Sequence, residues 1–86
     1  MKKTALEGLY LWSAYQPEHG LDFNGFFWIR PDGGNVLFDP LPLGEADAAF
    51  IREKGGARWI VITNADHWRA ADALREAFRA EVHAPA

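Results

Sequence analysis

The run Ile60-Val61-Ile62-Thr63-Asn64-Ala65-Asp66-His67-Trp68-Arg69-Ala70-Ala71 joins a buried-strand pattern to a helix pattern through a polar knot. No other stretch limits the fold so tightly. Arg58 to Ile62 is short, apolar and β-branched at its centre, which suits a strand buried on both faces. Beyond the knot, Ala70, Ala71, Leu74, Ala77 and Phe78 recur at helical spacing, while Arg69, Asp72, Arg75, Glu76 and Arg79 fall on the other side. The pattern predicts a helix from about Asp66 to Arg79. A strand that feeds a helix must bury one face of a sheet under that helix. Thr63, Asn64, Asp66 and His67 then stand where a helix N-terminus offers unpaired N–H groups and a partial positive charge.

The flanking sequence fills in the rest of the architecture. Leu6 to Tyr15 reads as a strand, Gln16-Pro17-Glu18-His19-Gly20 as a loop, and Phe23 to Arg30 as a second strand. Pro31-Asp32-Gly33-Gly34 supplies turn chemistry before Asn35-Val36-Leu37-Phe38-Asp39, so these segments form a β-hairpin. Two prolines keep Asp39-Pro40-Leu41-Pro42-Leu43-Gly44 irregular. From Glu45 a helix of about three turns follows, with Ala46, Ala49 and Phe50 as its apolar face and Gly55-Gly56 as its end. Glu81-Val82-His83-Ala84-Pro85 begins a further strand, after which the sequence stops as if cut from a longer design. The expected class is α/β (α+β), a β-sheet with helices on one face.

Composition narrows the function. With 86 residues the chain is a single domain at most, and one so small buries only about 60–65% of the surface its unfolded form exposes. Yet 49% of it is hydrophobic and 14% aromatic, including four Trp and six Phe. That load points to a homo-oligomer or to a complementary half-domain covering an apolar face. A formal charge of −3, with dispersed basic residues, excludes a nucleic-acid partner that needs a cationic groove. The absence of cysteine removes disulfides and thiolate metal sites, fitting a reducing compartment. There is no signal-peptide pattern and no apolar run near the roughly 18 residues of a membrane span, so a cytoplasmic location is expected.

Asn24-Gly25-Phe26-Phe27-Trp28-Ile29, then Gly33-Gly34-Asn35-Val36-Leu37-Phe38-Asp39-Pro40, then the Thr63 knot together resemble the opening of the metallo-β-lactamase fold. The resemblance implies that residues 1–86 form a partial domain, the N-terminal half of an αββα sandwich. It also implies zinc, a hydrolytic reaction and a small-molecule substrate. In that superfamily a T-H-x-H-x-D-H motif follows a buried strand and its side chains converge on one or two zinc ions, which lower the pKa of bound water to about 7. Laid on without a gap, Asn64 stands for the first His, Asp66 for the second, Trp68 for the Asp and Arg69 for the last His, while His67 falls between ligand positions. A two-residue gap aligns Asp66-His67 with the Asp-His pair and supplies two ligands in place of four. The resemblance gives Asp39 a supporting role beneath the site, and Thr63 is expected to share it.

Each candidate also has a purely structural reading. Thr63 and Asp66 have the spacing of a capping box. Asp66 and Arg69 can pair on the helix surface, and Asp39 can cap a turn. His67 can bind a metal or move protons, but His19 and His83 stand too far away in sequence to form a ligand pair with it. Arg69 and Asn64 together could clamp an anion. The expectation is a hydrolase-related protein with an eroded metal motif, and the alternative is a non-catalytic module that oligomerises through an exposed aromatic sheet face.

Overall fold

The computed structural model of the protein describes residues 1–16, 21–63 and 68–84. Its strands are β1 (Lys2–Lys3), β2 (Leu9–Gln16), β3 (Leu21–Trp28), β4 (Val36–Phe38), β5 (Trp59–Val61) and β6 (Glu81–His83), with helices α1 (Glu45–Glu53) and α2 (Trp68–Phe78). They form one six-stranded sheet whose spatial order is the order of the chain. Pairing is antiparallel from β1 to β4, then parallel from β4 to β6. The expected α+β class and the hairpin are therefore observed, and β1 is an added edge strand that the sequence pattern does not announce.

The change from antiparallel to parallel pairing follows from the connections. Residues 29–35 are enough for a hairpin, whereas a parallel neighbour requires a crossover, here supplied by each helix in turn. Two successive crossovers of one hand, stepping in one direction across the sheet, put both helices on the same face. The covered face carries Tyr10, Phe27, Leu37, Ile60 and Val82 in one continuous row, and Phe27, Leu37 and Ile60 have no solvent exposure. From α1, Phe50 packs edge-on against Tyr10 at 5.0 Å and Phe27 at 6.3 Å, while Ile51 is fully buried. Ala71 and Leu74 of α2 complete this core.

The face assigned to α1 needs correction. Ala46 and Ala49 are exposed, and the buried anchor is Ile51, one position beyond Phe50. The same rotation turns Asp47 inward, where it accepts a 2.5 Å bond from the α-amino group of Met1. The helix ends as Gly55-Gly56 predicts: both have positive φ, and their N–H groups donate to Arg52 and Ile51 in a Schellman arrangement. For α2, Ala77 is exposed although it belongs to the expected apolar stripe, and Arg79 lies past the last turn with φ 54°. In β5, Ile60 is buried and Trp59 and Val61 are half-buried, so only one of its faces is sealed.

Two contacts fix the cover to the sheet. Asn35 is 1% exposed; its side-chain amide donates to the carbonyls of Lys54 (2.9 Å) and Gly56 (3.1 Å), and its Oδ1 accepts from Arg30 N–H (3.1 Å). It ties the hairpin turn to the end of α1 with every polar atom of its amide group engaged. On the far side, Trp12 lies over Gly25, where an added Cβ would come within 2.8 Å of the indole, and Trp12 Nε1 donates to Pro42 carbonyl at 3.3 Å. Pro40 and Leu41, in the same irregular segment as Pro42, are buried.

Candidate functional site

Parallel strands β4 and β5 finish side by side, so whatever follows them emerges at one edge of the sheet, the usual location of sites in sheets of this kind. Asp39 follows β4 directly and Thr63 stands two residues past β5. The Asp39 N–H donates to Val61 carbonyl at 2.9 Å, which extends the ladder by one bond. Its backbone then turns into the left-handed region, φ 44°, a conformation that aspartate tolerates better than most residues. That turn aims the carboxylate back across β5. Oδ1 accepts the Thr63 N–H at 2.7 Å and Oδ2 accepts the Thr63 hydroxyl.

The Thr63 hydroxyl, which the sequence pattern expects to accept an N–H in a capping box, donates its own proton to Asp39; the N–H groups it would cap lie outside the described residues. Asp39 acts on the chain beyond β5 by holding Thr63, the second residue past the strand, with two charge-assisted bonds. Because the segment that starts there connects to α2, the clamp sets its point of departure from the sheet. The sequence reading gives both Asp39 and Thr63 a supporting place beneath the site, with a turn and a cap as their structural readings, but it does not bond one to the other. The signal that joins them is their equivalent place after two strands that pair in parallel.

Asn64, Asp66 and His67 lie outside the described residues, as does His19. Trp68 and Arg69 open α2, and their side chains are also outside the described set. His83 is placed on exposed β6, its ring 5.5 Å from Trp59 and its Nε2 3.5 Å from Glu81. It belongs to the sheet face opposite the helices. Among the described residues, no three His, Cys, Asp or Glu side chains gather closely enough to hold a metal ion. Among them also, no helix is long and apolar enough to cross a membrane. An open groove of ≈ 440 Å³ runs between the helices past Leu43, Arg52, Leu74 and Phe78, and neither Asp39 nor Thr63 lines it.

A mixed sheet with both crossover helices on one face defines an α+β fold, and an aspartate bridging the ends of its parallel strands marks the candidate site. The family model described as the metallo-beta-lactamase superfamily matches residues 1–86. The chain belongs to the metallo-β-lactamase superfamily. A search of curated proteins gives no match.

Proposed function

We propose that the chain is a hydrolase-related member of its superfamily in which the metal motif is eroded. The observation that carries this reading is the contrast between the Asp39–Thr63 clamp and the residues that follow it. The clamp preserves the launch of a strand-end site, while the positions expected to carry zinc ligands hold Asn64, Asp66, Trp68 and Arg69. An indole donates no lone pair to zinc, and a guanidinium keeps its positive charge at any working pH. Even a shifted alignment leaves Asp66 and His67 as two ligands, short of the three protein ligands of a catalytic zinc. The donor set does not fit the metal, and no reaction step is routed through it. Elemental analysis of the purified protein after incubation with zinc and gel filtration tests this: the expected result is far less than one zinc per chain. Stoichiometric zinc that disappears in His67→Ala would overturn it.

A second reading, a non-catalytic interaction module, is favoured by the face of the sheet that the helices leave bare. Strand register aligns Leu11, Phe26, Phe38 and Val61 in one row and Leu9, Trp28, Val36 and Trp59 in the next; within these rows Val36 is buried and the others are exposed or half-buried. Trp28, 39% exposed, stacks on Phe38 at 6.4 Å between ring centres. Two adjacent apolar rows across four strands are what a binding surface offers and what an isolated sheet face usually lacks. Sedimentation at micromolar concentration tests it, because association should be lost when Trp28 is replaced by Glu.

A further inference from the structure

We propose that the groove between α1 and α2 binds an amphipathic carboxylic acid, with its apolar body lying between the helices and its carboxylate on Arg52. The groove opens on the helix side of the sheet, apart from both the Asp39–Thr63 clamp and the bare face, so the proposal stands independently of the two readings above. Both crossovers lead from the end of one parallel strand to the start of the next, and the two helices therefore run in the same direction. Ala48 and Arg52 of α1 are one turn apart, as are Ala73 and Ala77 of α2, and each pair forms part of one wall. Three of these four side chains are single methyl groups. The space they leave, ≈ 440 Å³, lies within the range of about 300–1,000 Å³ usual for small-ligand clefts. Ala77, exposed although its stripe predicts burial, is one of the groove's walls.

One charge marks the lining. Among the described residues around the groove Arg52 alone is charged, and its neighbours there include Leu43, Leu74 and Phe78. The centre of its guanidinium lies over the Phe78 ring at 5.4 Å, which holds the long side chain against the wall. Stacking uses the face of the guanidinium and leaves its N–H donors, which lie in the plane, for a carboxylate. Arg30 is paired with Asp32 at 3.0 Å and Arg75 with Asp72 at 3.5 Å, whereas among the described residues no carboxylate pairs with Arg52. Arg52 and Phe78 belong to the last turns of their helices and Leu43 precedes α1, so the carboxylate sits at one end and the tail points towards Leu43. An extended peptide fits less well. Its backbone N–H groups would be buried against apolar side chains and an arginine, none of which accepts a hydrogen bond.

Titration of the isotope-labelled protein with decanoate, below its micellar concentration and followed by amide chemical shifts, tests the site directly. The expected result is saturable shifts centred on Ala48, Ala73, Ala77 and Phe78, with decyltrimethylammonium, which has the same tail and the opposite charge, binding far more weakly. Arg52→Gln should weaken decanoate about three- to ten-fold, the range for a charge-assisted contact at a solvent-exposed arginine. Ala77→Trp should fill the groove and remove the shifts. Both positions are exposed, so far-UV circular dichroism of the two variants should match that of the parent chain. Equal binding of the two probes, decanoate binding that Arg52→Gln leaves unchanged, or shifts centred elsewhere each overturn the inference. Shifts at the same residues on raising the protein concentration without decanoate give the groove to a second copy of the chain and overturn it as well.

Discussion

Phe27 and Trp28 are consecutive residues of one strand, yet the first has no solvent exposure and the second is 39% exposed. They stand for the two faces of the sheet. Both faces are apolar through β2 to β5, so alternation of polar and apolar residues does not distinguish them. The difference comes from topology. Once the chain has made two like-handed crossovers, Tyr10, Phe27, Leu37 and Ile60 are sealed by Phe50, Ile51, Ala71 and Leu74, while Trp28, Val36, Phe38 and Trp59 receive no helix. In this protein an apolar strand residue therefore reports hydrophobic character without reporting which layer uses it.

The sharpest way to break that contrast is Phe27→Ala. Truncating a fully buried aromatic on the covered face should cost about 3–5 kcal/mol, most of the stability available to so small a domain. Urea unfolding followed by circular dichroism should show the midpoint falling towards zero denaturant. A loss below about 1 kcal/mol would mean that the helices do not seal this face.

Asn35→Leu tests what holds the cover in place. The replacement is close in size and apolar, but it strands the Arg30 N–H and the carbonyls of Lys54 and Gly56. Leaving such groups unsatisfied should cost about 2–3 kcal/mol in the same measurement. Hydrogen exchange should accelerate first in the hairpin turn and the last turn of α1. An equal loss without that local signature would assign Asn35 a general core role in place of a link between the two layers.

Gly25→Ala comes next. Its new methyl group would approach the Trp12 ring to 2.8 Å, and that ring, 4% exposed, is held by its bond to Pro42. The expected loss is about 1–3 kcal/mol from overpacking. Trp12→Leu in the same chain should recover part of it, because the clash and not the glycine backbone is the cause. No recovery would place the strain elsewhere.

How much of this was legible in the sequence depends on the range of the interaction involved. The hairpin, the glycine stop of α1 and the order of strands and helices are written in local signals: Pro31-Asp32-Gly33-Gly34, Gly55-Gly56 and the change from extended to helical spacing after Ile62. Ile51 was missed because Ala46, Ala49 and Phe50 make an equally regular stripe, and only contact with the sheet selects between them. Asn35 and the Trp12–Gly25 contact depend on residues up to 21 positions apart and leave no local mark. In the candidate site, Asp39 and Thr63 are both legible as supporting residues. Their union, 24 positions apart, required the parallel pairing of β4 and β5 to be known.

Trp28→Ser carries the smallest expected effect and bears most directly on the contrast between the faces. The indole loses its stack on Phe38 and its place under the Arg30 guanidinium, but part of its surface is already in water and no helix packs over it. Such an aromatic pair contributes about 0.5–1.5 kcal/mol, so urea unfolding at low protein concentration should show a loss near 1 kcal/mol, well below that of Phe27→Ala. The same comparison at high concentration separates folding from association. If the bare face pairs, the wild type should gain stability as concentration rises while Trp28→Ser does not, because only the associating chain is stabilised by mass action. A concentration-independent loss as large as that of Phe27→Ala would instead mean that the exposed indole is part of the monomer's own core, and the distinction between the two faces would fall.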